Sequence, residues 1–339
     1  MITIAVDAMG GDYAPTEIVR GALEACQQNR HVHVILVGNE PRIKREIRKP
    51  IPNLSIVHTD EVIDMDENPS QALKKKKRAS IVLAAELVRD GHAEAVLSAG
   101  NTGALLEVAV FILGRLRGIR RPAIATFWPT QKGYSLLLDS GANADNKPEH
   151  LLQFALMGSL FAEKILGILS PSVGLLNIGE ESSKGTVVLQ EAFELIKRTD
   201  LNFIGNIEPH TFLQGEALVA VCDGFVGNMV LKTAESVAEF LFEVIKKELT
   251  KRLHTKVLSG LLKPTFRAIK KRLDYAEYGA APFLGVNGVC LKSHGKSKAR
   301  AIKNAINTAE RMVKSQIMAE LTHLAEELKG PSFALTKSE

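Results

Sequence analysis

Ala93-Glu94-Ala95-Val96-Leu97-Ser98-Ala99-Gly100-Asn101-Thr102-Gly103-Ala104 carries a short apolar run through a glycine-rich polar turn into a second apolar stretch. Residues 93–97 have the length and composition of a buried strand, and 104–116 read as an apolar helix. Strand, turn and helix in that order are the unit of a parallel sheet covered by helices. The same rhythm continues on both sides. Residues 2–6, 33–37 and 54–58 read as earlier strands, and 123–127, 134–139, 173–178, 203–207 and 217–221 as later ones. Helical patterns fill 16–28, 80–90 and 148–167. Few polar residues interrupt the strands, as expected where both faces are covered. No repeat or low-complexity linker divides the chain. One α/β domain over 1–330 is expected, with a loose tail over 331–339.

Hydrophobic residues make up 45% of the 339 and charged residues 24%, the balance of a globular chain. Aromatics are only 5%, so the core must rest on Val, Ile, Leu and Ala. A net charge of +5 suits an acidic partner, whether phosphate, an acidic protein, nucleic acid or an anionic membrane, and serves solubility equally well. Cys26, Cys222 and Cys290 lie far apart with no CxxC, which argues against a disulfide framework or a zinc site and for reduced thiols in a cytoplasmic protein. The first residues lack the marks of a signal peptide. The longest apolar stretch, 104–113, is broken by Glu107 and is too short to span a bilayer. After Asn228 the texture changes. Ala234, Val237, Ala238, Leu241, Ile245 and Leu249 recur three or four apart, predicting an amphipathic helix over 230–253. A break near Ser259-Gly260 and Pro264 precedes a second helix over 265–273, so a helical hairpin should project at about 230–275. Helices over 299–308 and 310–329 close the chain.

In open α/β sheets, ligands bind at the carboxyl ends of the strands, so each strand-ending turn is a place to seek chemistry. In Asp7-Ala8-Met9-Gly10-Gly11-Asp12 the paired glycines let the backbone approach a ligand; the plainer alternative is a tight turn with Asp12 capping the next helix. Gly100, Asn101, Thr102 and Gly103 open a helix, where exposed N–H groups and the helix dipole attract an anion, or where a cap suffices. This turn is neither GxGxxG nor a Walker A motif. Gly179-Glu180-Glu181-Ser182-Ser183-Lys184-Gly185-Thr186 offers the Lys184 ammonium to a phosphate oxygen. Cys222-Asp223-Gly224-Phe225-Val226-Gly227-Asn228, with Lys232 just beyond, joins a strand end to a helix start; a Cys222 nucleophile is conceivable, but small thiols at strand ends are usually core. Asn287-Gly288-Val289-Cys290-Leu291-Lys292-Ser293-His294-Gly295-Lys296-Ser297 is a strand and a polar turn, in which His294 could donate to an oxyanion, protonate a leaving group, or cap. Together these turns predict a cleft for a phosphorylated or otherwise anionic ligand.

These segments, with Ala14-Pro15, Asp139-Ser140-Gly141-Ala142-Asn143, Gln153-Phe154-Ala155-Leu156-Met157-Gly158, Gly205-Asn206-Ile207-Glu208, Glu277-Tyr278-Gly279 and Ala281-Pro282, resemble the PlsX-type phosphate acyltransferases over nearly the whole chain. Ser140, Asn146, Ala280 and Lys296 depart from that pattern. The resemblance implies a three-layer α/β/α Rossmann-like fold, similar to the isocitrate dehydrogenase and phosphotransacetylase group, and a homodimer. It implies transfer of a fatty acyl group from acyl carrier protein (ACP) to inorganic phosphate, giving acyl phosphate for phospholipid (phosphatidic acid) synthesis; no cofactor is expected, and without a His/Asp ligand cluster no metal is suggested. Candidate catalytic residues are Lys184, Asn228 and His294. Candidate phosphate or substrate-binding residues are Asp7, Gly10, Gly11, Asp12, Gly100, Asn101, Thr102, Gly103, Asp223, Gly224, Lys232 and Gly295. Phosphate is itself the nucleophile, so no acyl-enzyme is required. Asp7, Asp12 and Asp223 would orient Lys184, Lys232 or backbone groups, since carboxylates repel phosphate.

ACP is acidic, and the basic segments then have a candidate partner. Lys74-Lys75-Lys76-Lys77-Arg78 is one such run, although runs of this kind are usually solvated faces. In the hairpin, lysines and arginines flank an apolar tip, Val257, Leu258, Leu261 and Leu262, a pattern that fits an anionic bilayer or ACP, or a dimer interface. Peripheral membrane contact would bring a greasy product to a downstream glycerol-3-phosphate acyltransferase. No nucleic-acid partner is expected. A nicotinamide-dependent dehydrogenase on a related fold would need a dinucleotide fingerprint, which is missing. A non-enzymatic membrane-binding module would leave the strand-end turns unexplained.

Overall fold

The computed structural model describes residues 1–251, 260, 262–273 and 280–329. The chain opens with β1 (Ile2–Asp7), α1 (Thr16–Gln28), β2 (Val32–Gly38), α2 (Glu40–Glu46) and β3 (Leu54–His58). α1 forms because Ile18, Val19, Ala22, Ala25 and Cys26 recur on one face, and all five are buried. Next come α3 (Pro69–Lys75), α4 (Ser80–Arg89), β4 (Ala95–Ser98) and α5 (Thr102–Val108). α5 continues as a π-helical turn, Ala109–Leu113, and stops at Gly114 with φ 84°, short of the expected end at 116. The middle of the chain supplies β5 (Ala123–Ile124), β6 (Thr126–Thr130), β7 (Gly133–Leu138), α6 (Pro148–Leu166), β8 (Val173–Leu176), α7 (Val187–Lys197), β9 (Phe203–Ile207), α8 (Pro209–Gln214) and β10 (Val219–Val221). The last elements are α9 (Gly224–Thr250), α10 (Lys263–Leu273), β11 (Ala281–Leu284), β12 (Val289–Lys292), α11 (Ala299–Lys314) and α12 (Ile317–Glu327).

The strands form two sheets instead of the single one expected. The first has the order β3-β2-β1-β4-β12-β11-β5, parallel from β3 to β12, with β11 antiparallel to both of its neighbours. The second has the order β6-β7-β10-β8-β9, parallel except for β6. The strand expected over 123–127 is split between them. Ala123 and Ile124 form an edge of the first sheet, and Thr126–Thr130 pairs with β7 in the second. Ala125 at the crossing is buried, and its N–H donates to the Pro282 carbonyl at 3.0 Å. The architecture is α/β with parallel-dominated sheets, as the alternating pattern predicts.

One apolar cluster runs from Ile4, Val6, Leu97 and Leu291 in the first sheet to Leu136, Leu138, Val173 and Val221 in the second. Another, on the other face of the first sheet, gathers Ala5, Val37, Val96 and Cys290 beneath α4 and α5. Side chains alternate between faces along a strand, so Asp7, Ser98 and Lys292 all follow the second cluster's face.

α9 starts at Gly224, ahead of the expected 230, because the Asp223 carboxylate caps it by accepting the Val226 N–H at 2.8 Å. Only Gly224 and Gly227 of this helix are buried, so it projects. Of the expected hairpin tip, Leu262 is exposed, and Val257, Leu258 and Leu261 lie outside the described residues. So do Glu277, Tyr278, Gly279 and the tail over 330–339. The break between the last two helices falls at Gln316 (φ 54°), not near 309. Thr308 lies inside the helix, its hydroxyl donating to the Asn304 carbonyl at 3.0 Å. No helix of the described residues is long and apolar enough to cross a membrane.

Candidate active site

β1, β4 and β12 are neighbours, and each ends in a polar residue on the same face. Lys292 pairs with Ser98, and β1 runs beside β4 with Val6 opposite Leu97. Asp7, Ser98 and Lys292 therefore form a row. The buried Asp7 carboxylate accepts from the Ser80 hydroxyl at 2.6 Å, the Ser98 hydroxyl at 2.7 Å and the Met9 N–H at 3.1 Å. Burial pushes its carboxyl up, and these donors pull it part of the way back. The Ser98 oxygen also accepts the Gly100 N–H at 3.0 Å, tying the first turn to the second. Gly10 must be glycine. A Cβ there would lie 2.4 Å from Asp7 Oδ2 and 2.7 Å from the Gly100 nitrogen. The third turn closes on the first, because the Asp12 N–H donates to the Gly295 carbonyl at 2.9 Å. Three of the turns named from the sequence thus meet at one place.

His294 sits in this third turn. Its Nδ1 accepts the Lys296 N–H at 3.1 Å, which puts the proton of the neutral ring on Nε2. Burial lowers its pKa; Glu235 opposes this, and Lys292, Lys232 and Lys296 reinforce it. A neutral imidazole that donates from Nε2 suits a developing oxyanion. Lys232 reaches the same neighbourhood from α9, paired with Glu235 at 3.2 Å, and its charge also bears on Lys292. Beyond it an open hollow of about 400 Å³ is lined by Lys232, Thr233, Ser236, Val237 and Phe240.

Other candidates have more ordinary tasks. Asn101 caps α5 by accepting the Ala104 N–H at 3.1 Å, while its Nδ2 donates to the Met65 and Glu67 carbonyls. Thr102 and Gly103 are the first residues of that helix. Asp12 does not cap α1, whose N-cap is Pro15. Asp223 is spent on the α9 cap. Among the described residues no ion pair joins Asp7, Asp12 or Asp223 to Lys184 or Lys232; of the expected alternatives, Asp7 and Asp223 orient backbone groups, the Met9 and Val226 N–H. The Lys184 ammonium lies 3.9 Å from Glu181 in its own loop. Among the described residues no hydrogen bond or ion pair joins it to the His294 turn, nor does one join Asn228, which packs over Gly141 (φ 140°).

The second sheet contributes a polar centre that sequence reading missed. The buried Asp139 carboxylate accepts the N–H groups of Ile124, Gly141, Ala142 and Asn143 and the Nδ2 of Asn143, at 2.7–3.1 Å. It holds the turn against which α9 begins; a Cβ on Gly227 would sit 1.9 Å from the Asp139 carbonyl oxygen. Cys222 is buried beside it. Burial, then the charges of Asp139 and Asp223, push its thiol well above the usual range, which removes it as a nucleophile. Lys292 was also missed. Its signal was present, since it is a lysine closing an otherwise apolar strand, but only strand pairing reveals what it stands beside.

Residues 2–320 match the family model described as "Fatty acid synthesis protein". The chain is 50% identical over 331 residues to the phosphate acyltransferase of Pelotomaculum thermopropionicum, covering 96% of each. It is 51% identical over 323 residues to that of Moorella thermoacetica, covering 95% of each. Among solved structures it resembles a phosphotransacetylase from Streptococcus pyogenes with TM-score 0.63 at 18% identity, over 92% of this chain and 94% of that one. The EutD phosphotransacetylase of Staphylococcus aureus gives TM-score 0.57 at 16% identity, over 91% and 94%. At such identities these structures speak for the fold alone.

Proposed function

Since this chain belongs to the fatty acid synthesis protein family and is a phosphate acyltransferase, we propose that its donor is a fatty acyl thioester of ACP and that the three meeting turns hold the acceptor phosphate. The junction of the Asp7, Gly100 and His294 turns carries this reading. A buried lysine and a neutral imidazole stand at this meeting of glycine-bearing turns. A phosphate oxygen forms the new C–O bond, the C–S bond breaks, and the proton of HPO4²⁻ ends on the sulfur. The products are acyl phosphate and the free carrier thiol, so atoms and charge balance without a cofactor. Holding both reactants in line lowers the barrier by roughly 7–11 kcal/mol. His294 donates to the tetrahedral oxyanion, and a thiolate leaving group needs little acid help. Lys184 acts on phosphate from the loop after β8, and Asn228 and Lys232 act from α9. The hollow along α9, with Val237 and Phe240 in its wall, beds the acyl chain next to the site.

Exposed Met229, Phe240 and Leu241, with the lysines of α9, suit a second copy of the chain or the carrier. A homodimer docked peripherally on a membrane would pass its product to a glycerol-3-phosphate acyltransferase.

The direct test is release of free thiol from palmitoyl-ACP, with acyl phosphate trapped by hydroxylamine. Release that requires phosphate, with equal trapped product, is expected; release without phosphate, or none from folded protein, would overturn the reading. Lys184→Ala should raise the phosphate KM about tenfold, in line with loss of one charged hydrogen bond. An unchanged KM removes Lys184 from the site. Cys222→Ser should keep kcat within about twofold while lowering stability by about 1 kcal/mol in urea unfolding, the cost of a buried hydroxyl. A dead but folded variant would reinstate the thiol.

A further inference from the structure

Lys292 has the burial of a core residue and the charge of a surface one. It is 8% exposed at the end of β12, level with Ser98 and on the same face as Asp7. Its ammonium donates to the carbonyls of Ser293 and, at 3.5 Å, Ala99. That leaves a third N–H without an acceptor among the described residues, and none of their carboxylates lies within ion-pair distance. Asp7, the nearest anion by strand order, already accepts two hydroxyls and an N–H. A buried cation completed by neither a counter-charge nor a full set of acceptors weakens the unliganded fold. Such a group makes sense where an anionic ligand completes it. The Gly10 and Gly100 turns meet next to it, leaving no room for side chains there.

Resting on the acyl-transfer reading above, we propose that Lys292 binds the phosphate nucleophile directly, its third N–H donating to a phosphate oxygen. The ammonium replaces part of the hydration that phosphate loses on entry and offsets its charge beside Asp7 and Asp12. Groups facing Lys292 come from every side: Asp7 from β1, Asp12 from the first turn, Lys232 from α9 and His294 from its own turn. Burial is the largest influence and Lys232 adds to it, while the two carboxylates oppose. Together they bring the Lys292 pKa down to about 8. The ammonium is therefore lost as pH rises through about 8, and phosphate binding should weaken there. Conversely, the cost of burying the charge is present below pH 8 and relieved above it, so stability without phosphate should rise from pH 8 towards the ordinary lysine range.

Lys292→Met and Lys292→Arg test this in the full-length protein. Calorimetry with inorganic phosphate alone and the phosphate KM are the readouts. Lys292→Met should weaken phosphate binding at least tenfold, yet melt no lower than the parent without phosphate. Lys292→Arg keeps its charge at all accessible pH and should retain phosphate binding without the loss above pH 8. Parental phosphate affinity in Lys292→Met would overturn the proposal, and so would a fall in kcat with phosphate KM unchanged, which would move Lys292 to the thioester oxyanion. If Lys292→Arg fails to fold, the parental pH profile decides, because a phosphate affinity flat from pH 7 to 9 is equally fatal. Parental protein that binds phosphate without releasing thiol would refute the acyl-transfer reading while leaving Lys292 testable by calorimetry.

Discussion

His294→Ala should lower kcat for phosphate-dependent thiol release by about 10²–10³, with the phosphate KM nearly unchanged. Loss of one oxyanion donor in a preorganised site has that magnitude. The ring is placed for this work by the Lys296 N–H on Nδ1, which fixes the tautomer and leaves Nε2 as the donor. Burial and three lysines hold its pKa below the ordinary histidine value, so the neutral donor form prevails at pH 7. The sign follows. Protonation sets in only as pH falls below 6.5, and any acid limb belongs there. That limb should vanish in the variant. The same depressed pKa means that stability contributed by keeping His294 neutral is lost as pH falls from 6.5 through the folded value. A kcat within tenfold of the parent, or an acid limb that survives, would move the oxyanion donor to Asn228.

Asp139→Ala should cost about 3–5 kcal/mol in urea unfolding, the usual effect of removing one partner from a buried charged network. Four backbone N–H groups and the Asn143 amide lose their acceptor at once. One of those groups, Ile124, belongs to the edge of the first sheet, while Asp139 directly follows β7 of the second. The variant therefore loosens the joint between the sheets, along with the start of α9. Asp139→Asn should not rescue it, because an amide NH2 would face donors. A loss below about 1 kcal/mol would show that water replaces the carboxylate at no cost and that the joint is held by apolar packing alone.

Short-range signals were legible wherever one element decided the outcome. Buried strands and amphipathic helices were visible from spacing, and so were the glycine turns. Some signals went unread: Asn39 and Asn68 cap helices whose first turns contain Pro41 and Pro69, and Thr186 caps another. These are local marks of a helix start. Other misreadings had no local remedy. Nothing within residues 123–127 says that two belong to one sheet and the next residues to another, because the choice is made by β11 and β7 as partners.

The sequence by itself determined the α/β class, the turns at the strand ends and the family. Periodicity, capping and motif order depend on residues a few positions apart. The tertiary structure decided which turns share a site. Asp7 and Ser98 are 91 residues apart and Lys292 lies 193 from Ala99, yet parallel pairing of β1, β4 and β12 sets them side by side. The same pairing buries Lys292, while the meeting of the two sheets makes Asp139 a joint through the Ile124 N–H. Partner choice among strands is a property of the whole packed chain, settled by the burial of apolar clusters on the sheet faces, and no window of sequence contains it.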